Sequence, residues 1–146
     1  MSSNNLGQPG DGGAAQGVTM QFIHEFYSLL DGESTEAAQV WGDMFADDAE
    51  FVTPVQTLQG RQAIRAQRKE FWTQFPGLKH QPVRVYVLPS SPLDVVVINS
   101  YEFTGKDGQH VFSHTAAEFR LVESKESRLV VQRLEIFMDP TILGWK

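Results

Sequence analysis

The sequence predicts a two-layer α+β domain, with three N-terminal helices packed on one face of a strongly curved, mostly antiparallel sheet. Three observations carry this prediction. Apolar residues recur at helical spacing as far as residue 75. From residue 79 onward the chain is instead rich in Val, Ile, Phe and Tyr. Short turn sequences cut that second half into four stretches, and neighbouring strands with short connections pair antiparallel. A sheet curved around the helices makes a cone with an apolar cavity between its layers.

Each element has its own signal. Residues 1–16, "MSSNNLGQPGDGGAAQ", hold too little apolar surface to offset chain entropy and read as a flexible tail before a single domain over 17–146. In the first helix, Val18 to Leu30, the residues Val18, Phe22, Ile23, Phe26, Tyr27, Leu29 and Leu30 fill one arc, opposite Gln21, Glu25 and Ser28. Tyr27 sits towards the edge of that arc. "DGES" breaks the helix. Ser34 or Thr35 then caps a second one, with Glu36 in its first turn and Ala37, Val40, Trp41, Met44 and Phe45 on one face. "FADDAEFVTP" reads as the end of that helix, a tight acidic turn and a short strand from Glu50 to Val55. A third helix, about Arg61 to Phe75, buries Ile64, Phe71, Trp72 and Phe75 and closes at "PG". Its basic residues Arg61, Arg65, Arg68 and Lys69 read as a solvated face. "HQPVRVYVL", "LDVVVINSYEFTG", "HVFSHTAAEFRLV" and "RLVVQRLEIFM" are the four strands of the meander, separated by "PSSP", "GKDGQ" and "ESKES".

Composition removes several function classes. A formal charge of −6 disfavours nucleic acid and anionic membrane as partners. The chain has no cysteine, so thiolate metal sites, disulfides and a Cys nucleophile are excluded. No apolar run of membrane-spanning length and no secretory leader occur, and a cytoplasmic protein is expected. His110 and His114 lie roughly 13 Å apart along an extended strand, too far to share a metal ion. No Gly-rich phosphate loop or serine-nucleophile elbow is present, and no cofactor is expected.

The segments "W..MFADDAEFVTP", "LQGRQAIRAQRKEFW" and the meander ending "RLEIFMDP" resemble the nuclear transport factor 2-like superfamily. Its SnoaL-like and ketosteroid-isomerase-like branch is the nearest in pattern, over roughly residues 18 to 140. The resemblance implies a cone-shaped α+β barrel and a cofactor-free isomerase or cyclase acting on an apolar, oxygenated secondary metabolite. A dimeric interaction or binding module is the alternative it leaves open. Ketosteroid isomerases carry their base before the strand-ending proline, where this chain has Thr53. Their second acidic donor aligns near Ala117 and is missing. Tyr27, one residue out of register with their helix tyrosine, is a candidate for its role as an oxyanion donor.

By the same resemblance, His114 is a candidate acid–base group of the kind that cyclases and dehydratases place on late strands. Strand alternation, however, groups it with Phe112, Ala116, Glu118 and Arg120. The alternate face, with Thr115, Ala117 and Phe119, looks more like a cavity lining unless a bulge swaps the two. Glu135 is either a buried last-strand acid or an outward partner of Arg133. Asn99 and Tyr101 share one strand face and are placed to bind a ligand oxygen. Trp41, Phe45, Trp72 and Phe112 supply core rings, some of them cavity wall. Expected partners are an apolar small molecule and a second copy of the chain, joined through the sheet.

Overall fold

A computed structural model describes residues 11–75, 77–105 and 107–139, excepting the side chains of 11–16 and of Trp72. Three helices, α1 (Asp11–Leu30), α2 (Thr35–Asp43) and α3 (Arg61–Gln74), cover one face of a six-stranded sheet. Its strands are β1 (Phe45–Val52), β2 (Thr57–Gln59), β3 (Lys79–Leu88), β4 (Ser91–Thr104), β5 (His110–Glu123) and β6 (Leu129–Phe137). They run in the order β2-β1-β6-β5-β4-β3. The β1–β6 pair is parallel and every other pair antiparallel. The sheet curls around the helices without closing, so β2 and β3 remain edges.

The meander forms as the sequence predicts, because strict alternation puts one side of each strand into the core. On β4 the inward residues Val95, Val97, Asn99, Tyr101 and Phe103 are buried. On β5 they are Ala117, Phe119 and Leu121. The core is built on rings. Phe26 meets Phe119 edge-on at 5.0 Å and lies 5.6 Å from Trp41 and 5.8 Å from Phe45.

The N-terminal half departs from expectation in four places. First, α1 begins at Asp11, so residues 11–16 are helical rather than tail; residues 1–10 lie outside the described residues. Val18 is exposed, the inward position at that level being taken by buried Thr19, whose hydroxyl donates to the Pro92 carbonyl at 3.2 Å. Second, α2 ends at Asp43, and Phe45 opens β1 instead of extending the helix. Ser34 is its N-cap, accepting from the Ala37 N–H at 3.0 Å. The helix stops because β6 competes for the backbone: Val131 N–H donates to the Met44 carbonyl at 2.8 Å and starts the parallel pairing.

Third, "ADDA" is strand and not turn. A break in the β1–β6 register between Phe45 and Glu50 accommodates it, and Asp47 and Asp48 point to solvent. The Arg61 guanidinium fills the gap, donating to the Phe45 carbonyl at 2.9 and 2.7 Å and pairing with Asp47 at 2.9 Å. Thr53–Gln56 then turn the chain into β2, where Val55 had been expected to continue the strand. Gly60, at φ +93°, makes the entry into α3 in a conformation that side chains rarely adopt. Fourth, the basic face of α3 is not solvated throughout. Arg65 pairs with Asp43 at 2.8 Å, and Arg68 is buried.

Candidate functional site

Between the helices and the concave face of the sheet lies a cavity of about 110 Å3. Most of its wall is apolar, with Phe26, Trp41, Ile64, Phe71, Leu134 and Ile136 contributing. A few polar groups converge on it: Tyr27 from α1, Arg68 from α3, His80 from β3, and Asn99 and Tyr101 from β4. Apolar walls around a small number of placed polar groups are the usual character of a small-molecule site.

His80 and Asp31 form the centre of this arrangement. The turn after α1 brings Asp31 against the first residues of β3. There its Oδ1 lies 2.7 Å from His80 Nδ1, and its Oδ2 accepts from the His80 backbone N–H at 2.5 Å. Both side chains are mostly shielded from solvent. In neutral His80, a carboxylate at Nδ1 selects the tautomer with hydrogen on Nδ1, which leaves the Nε2 lone pair for a ligand. The imidazole lies 5.5 Å from the Tyr27 ring and 6.2 Å from that of Tyr101, its cross-strand partner.

Tyr27 is buried and accepts from Asn99 Nδ2 at 2.8 Å. Burial drives its pKa well upward, only partly opposed by the Asn99 hydrogen bond, with Asp31 adding to the rise. It therefore stays a neutral phenol, a donor and not a base. The Tyr101 hydroxyl is also pushed up by burial, against a lowering by Ser113 across the strand pair and with a further rise from Asp139. It makes no hydrogen bond of good geometry.

Arg68 is closed off from solvent, yet one side of it is cavity rather than packed protein. Its Nη2 donates to the carbonyls of Leu29 at 3.0 Å, Gly32 at 2.6 Å and Leu30, the exposed end of the α1 hydrogen-bond ladder. The guanidinium also lies 5.7 Å from the Trp41 ring. Desolvation lowers its pKa to about 10, against the pull of Asp31 and Glu33, so it remains a cation at neutral pH.

Of the residues singled out from the sequence, Tyr27, Trp41, Thr53, Asn99 and Tyr101 line the cavity. Phe45 is fully buried in the core behind that wall and does not line it. The Trp72 side chain lies outside the described residues. His114 and Phe112 are on the outer face of the sheet, stacked edge-to-face at 5.4 Å. The β4–β5 register runs unbroken from Asp94–Arg120 to Thr104–His110, so no bulge exchanges the faces and Thr115 takes the cavity side. Glu135 likewise faces outward and pairs with Arg133 at 3.1 Å, while its neighbours Leu134 and Ile136 face the cavity.

Thr53 is occupied locally. Its Oγ1 accepts from the Val55 and Gln56 N–H groups at 3.4 and 3.2 Å and donates to the Gln56 carbonyl at 3.1 Å. The hydroxyl fixes a turn, with its proton on the Gln56 carbonyl. Asp31, His80 and Arg68 also meet at this cavity or beside it; the sequence offers none of them as a site residue, and it places Arg68 on a solvated face. Among the described residues, no three His, Asp or Glu side chains group as a metal site. No described helix is long and apolar enough to cross a membrane.

The SnoaL-like domain family matches residues 23–129. The chain belongs to that family. Solved structures of the same fold include a protein from Jannaschia sp. provisionally named a SnoaL-like polyketide cyclase. It is 16% identical, with a TM-score of 0.73 over 96% of this chain and 100% of that one. A second, from Novosphingobium aromaticivorans and provisionally named a scytalone dehydratase, is 14% identical, with a TM-score of 0.71 over 84% and 83%. Nuclear transport factor 2 from Cryptosporidium parvum is 17% identical, with a TM-score of 0.68 over 84% and 93%. At these identities the likeness establishes the SnoaL-like fold. No curated protein matches the sequence.

Proposed function

We propose that this SnoaL-like protein is a cofactor-free acid–base catalyst that moves a proton on a small, apolar, oxygenated molecule. The observation that carries this is the His80–Asp31 pair set in the wall of a mostly apolar cavity. Acid–base work needs a proton-accepting nitrogen held in one tautomer, beside donors for the charge that develops. His80 Nε2 takes a proton from a carbon next to a carbonyl, and the electron pair moves onto the carbonyl oxygen. The phenolic O–H groups of Tyr27 and Tyr101 donate to that oxygen. Return of the proton at another carbon isomerises the molecule, and its delivery to a β-hydroxyl expels water. This assigns to His80 the role that the sequence offered to His114 and Glu135. The names of the cyclase-like and dehydratase-like fold neighbours support an oxygenated secondary metabolite as the substrate class.

The test uses a generic probe. With 3-hydroxycyclohexanone in deuterated water, NMR should show α-proton exchange or loss of water above the buffer rate. His80→Gln should abolish the excess. An excess rate unchanged in His80→Gln would end the reading.

A second surface carries the interaction reading. On the outer sheet face Phe112 and Phe137 are 58% and 50% exposed. The charged groups of that face pair among themselves, Arg120 with Asp94 at 3.8 Å and Arg133 with Glu50 and Glu135 at 2.9 and 3.1 Å, which leaves the two rings as its unpartnered feature. We infer a homodimer through this face. Light scattering should give twice the chain mass, and Phe112→Glu should return it to the monomer mass. A wild-type monomer mass at high protein concentration would count against it.

A further inference from the structure

Two buried polar groups of the cavity wall are left incompletely bonded. Asn99 is 1% exposed, and with Nδ2 given to Tyr27, its Oδ1 has no partner among the described residues. Tyr101 is 3% exposed, and beyond a poorly aligned approach to Ser113 its hydroxyl has no hydrogen-bond partner among the described residues. Burying such groups unpaired opposes folding, and a well-packed core avoids it. Here both occur on the cavity side of β4, two residues and roughly 7 Å of strand apart. Their positions match a ligand better than a packing defect.

The size and charge of the site narrow that ligand. A cavity of about 110 Å3 is of the same order as the ~150 Å3 apolar cavity that takes benzene, which limits its occupant to one ring. The charges beside it, Asp31 and Arg68, have opposite signs and act on one another.

We propose that the cavity binds an uncharged single-ring compound carrying a hydroxyl that donates to Asn99 Oδ1 and a second oxygen that accepts from Tyr101 O–H. The proposal rests on the cavity being the ligand site and needs no turnover.

The experiment is a calorimetric titration of the full chain with resorcinol, anisole, benzene and benzoate. Resorcinol should bind at least 10-fold tighter than benzene, anisole should gain little over benzene, and benzoate should not bind measurably. Tyr101→Phe should cut the resorcinol preference about 5- to 10-fold, leave benzene binding unchanged, and keep or raise the melting temperature. That last readout separates a ligand group from a structural one, since removal of an incompletely bonded hydroxyl does not harm the empty protein. Equal binding of benzene and resorcinol overturns the hydroxy-compound class while leaving the cavity as the site. The same class is overturned by a Tyr101→Phe variant that loses thermal stability but keeps the preference. Failure of all four probes overturns the cavity as a ligand site, and the proposed function with it.

Discussion

Asp31→Asn should slow proton exchange on the cyclic ketone probe by about 10²- to 10⁴-fold, the range a positioned acid–base group contributes. Both Asp31 oxygens accept hydrogen bonds from the same residue, one from the His80 backbone N–H and one from Nδ1. An asparagine amide has a single oxygen. If that oxygen keeps the backbone N–H, the amide NH₂ faces Nδ1, and the imidazole moves its hydrogen to Nε2. The lone pair is then lost from the cavity although the ring has not moved. Nitrogen NMR reads this directly: wild-type neutral His80 should carry hydrogen on Nδ1 and the variant on Nε2. A fast variant with the exchanged tautomer would remove His80 from the chemistry.

Arg68→Met should lower the stability of the fold by roughly 2–4 kcal/mol, the order expected when part-buried carbonyls lose their donor. One nitrogen, Nη2, serves three carbonyls at the end of α1, on both sides of Asp31. Methionine fills much of the volume but leaves the Leu30 and Gly32 carbonyls without this donor at the negative end of the helix dipole, while the Leu29 carbonyl keeps the Gly32 N–H at 3.2 Å. Arg68→Lys keeps the charge yet lacks the planar fork, so an intermediate loss is expected. Urea unfolding midpoints measure both. A methionine variant within 1 kcal/mol of wild type would show that the α1 terminus holds its shape without Arg68.

How far the sequence could be read follows from the range of the forces involved. The meander and α3 depend on local alternation and spacing, and both formed where those patterns lie. Phe45 was misplaced because its i, i+4 relation to Trp41 satisfies the α2 pattern, while β6, far along the chain, claims its backbone for a strand. Asn99 and Tyr101 were legible at the site because residues two apart on one strand share a face. His80 and Asp31 were not. They are 49 positions apart, one in a helix-breaking turn and one at a strand start, and nothing local joins them. Arg68 was hidden by its company: three other basic residues on α3 suggested a wet face, and only tertiary packing separates it from them.

The parallel pairing of β1 with β6 bears on how the molecule comes into being. Glu50 and Arg133, joined across that pair, are 83 positions apart, so closing the sheet requires a contact spanning more than half of the chain. Contacts of this range are formed late and slowly. During synthesis the helices and the β1–β2 hairpin can gather while one wall of the cavity, Leu134 and Ile136, has not yet emerged. The cavity is thus among the last parts of the molecule to exist. Until it does, β1 keeps an unpaired edge along the side that β6 will take, and an edge of that kind is open to aggregation.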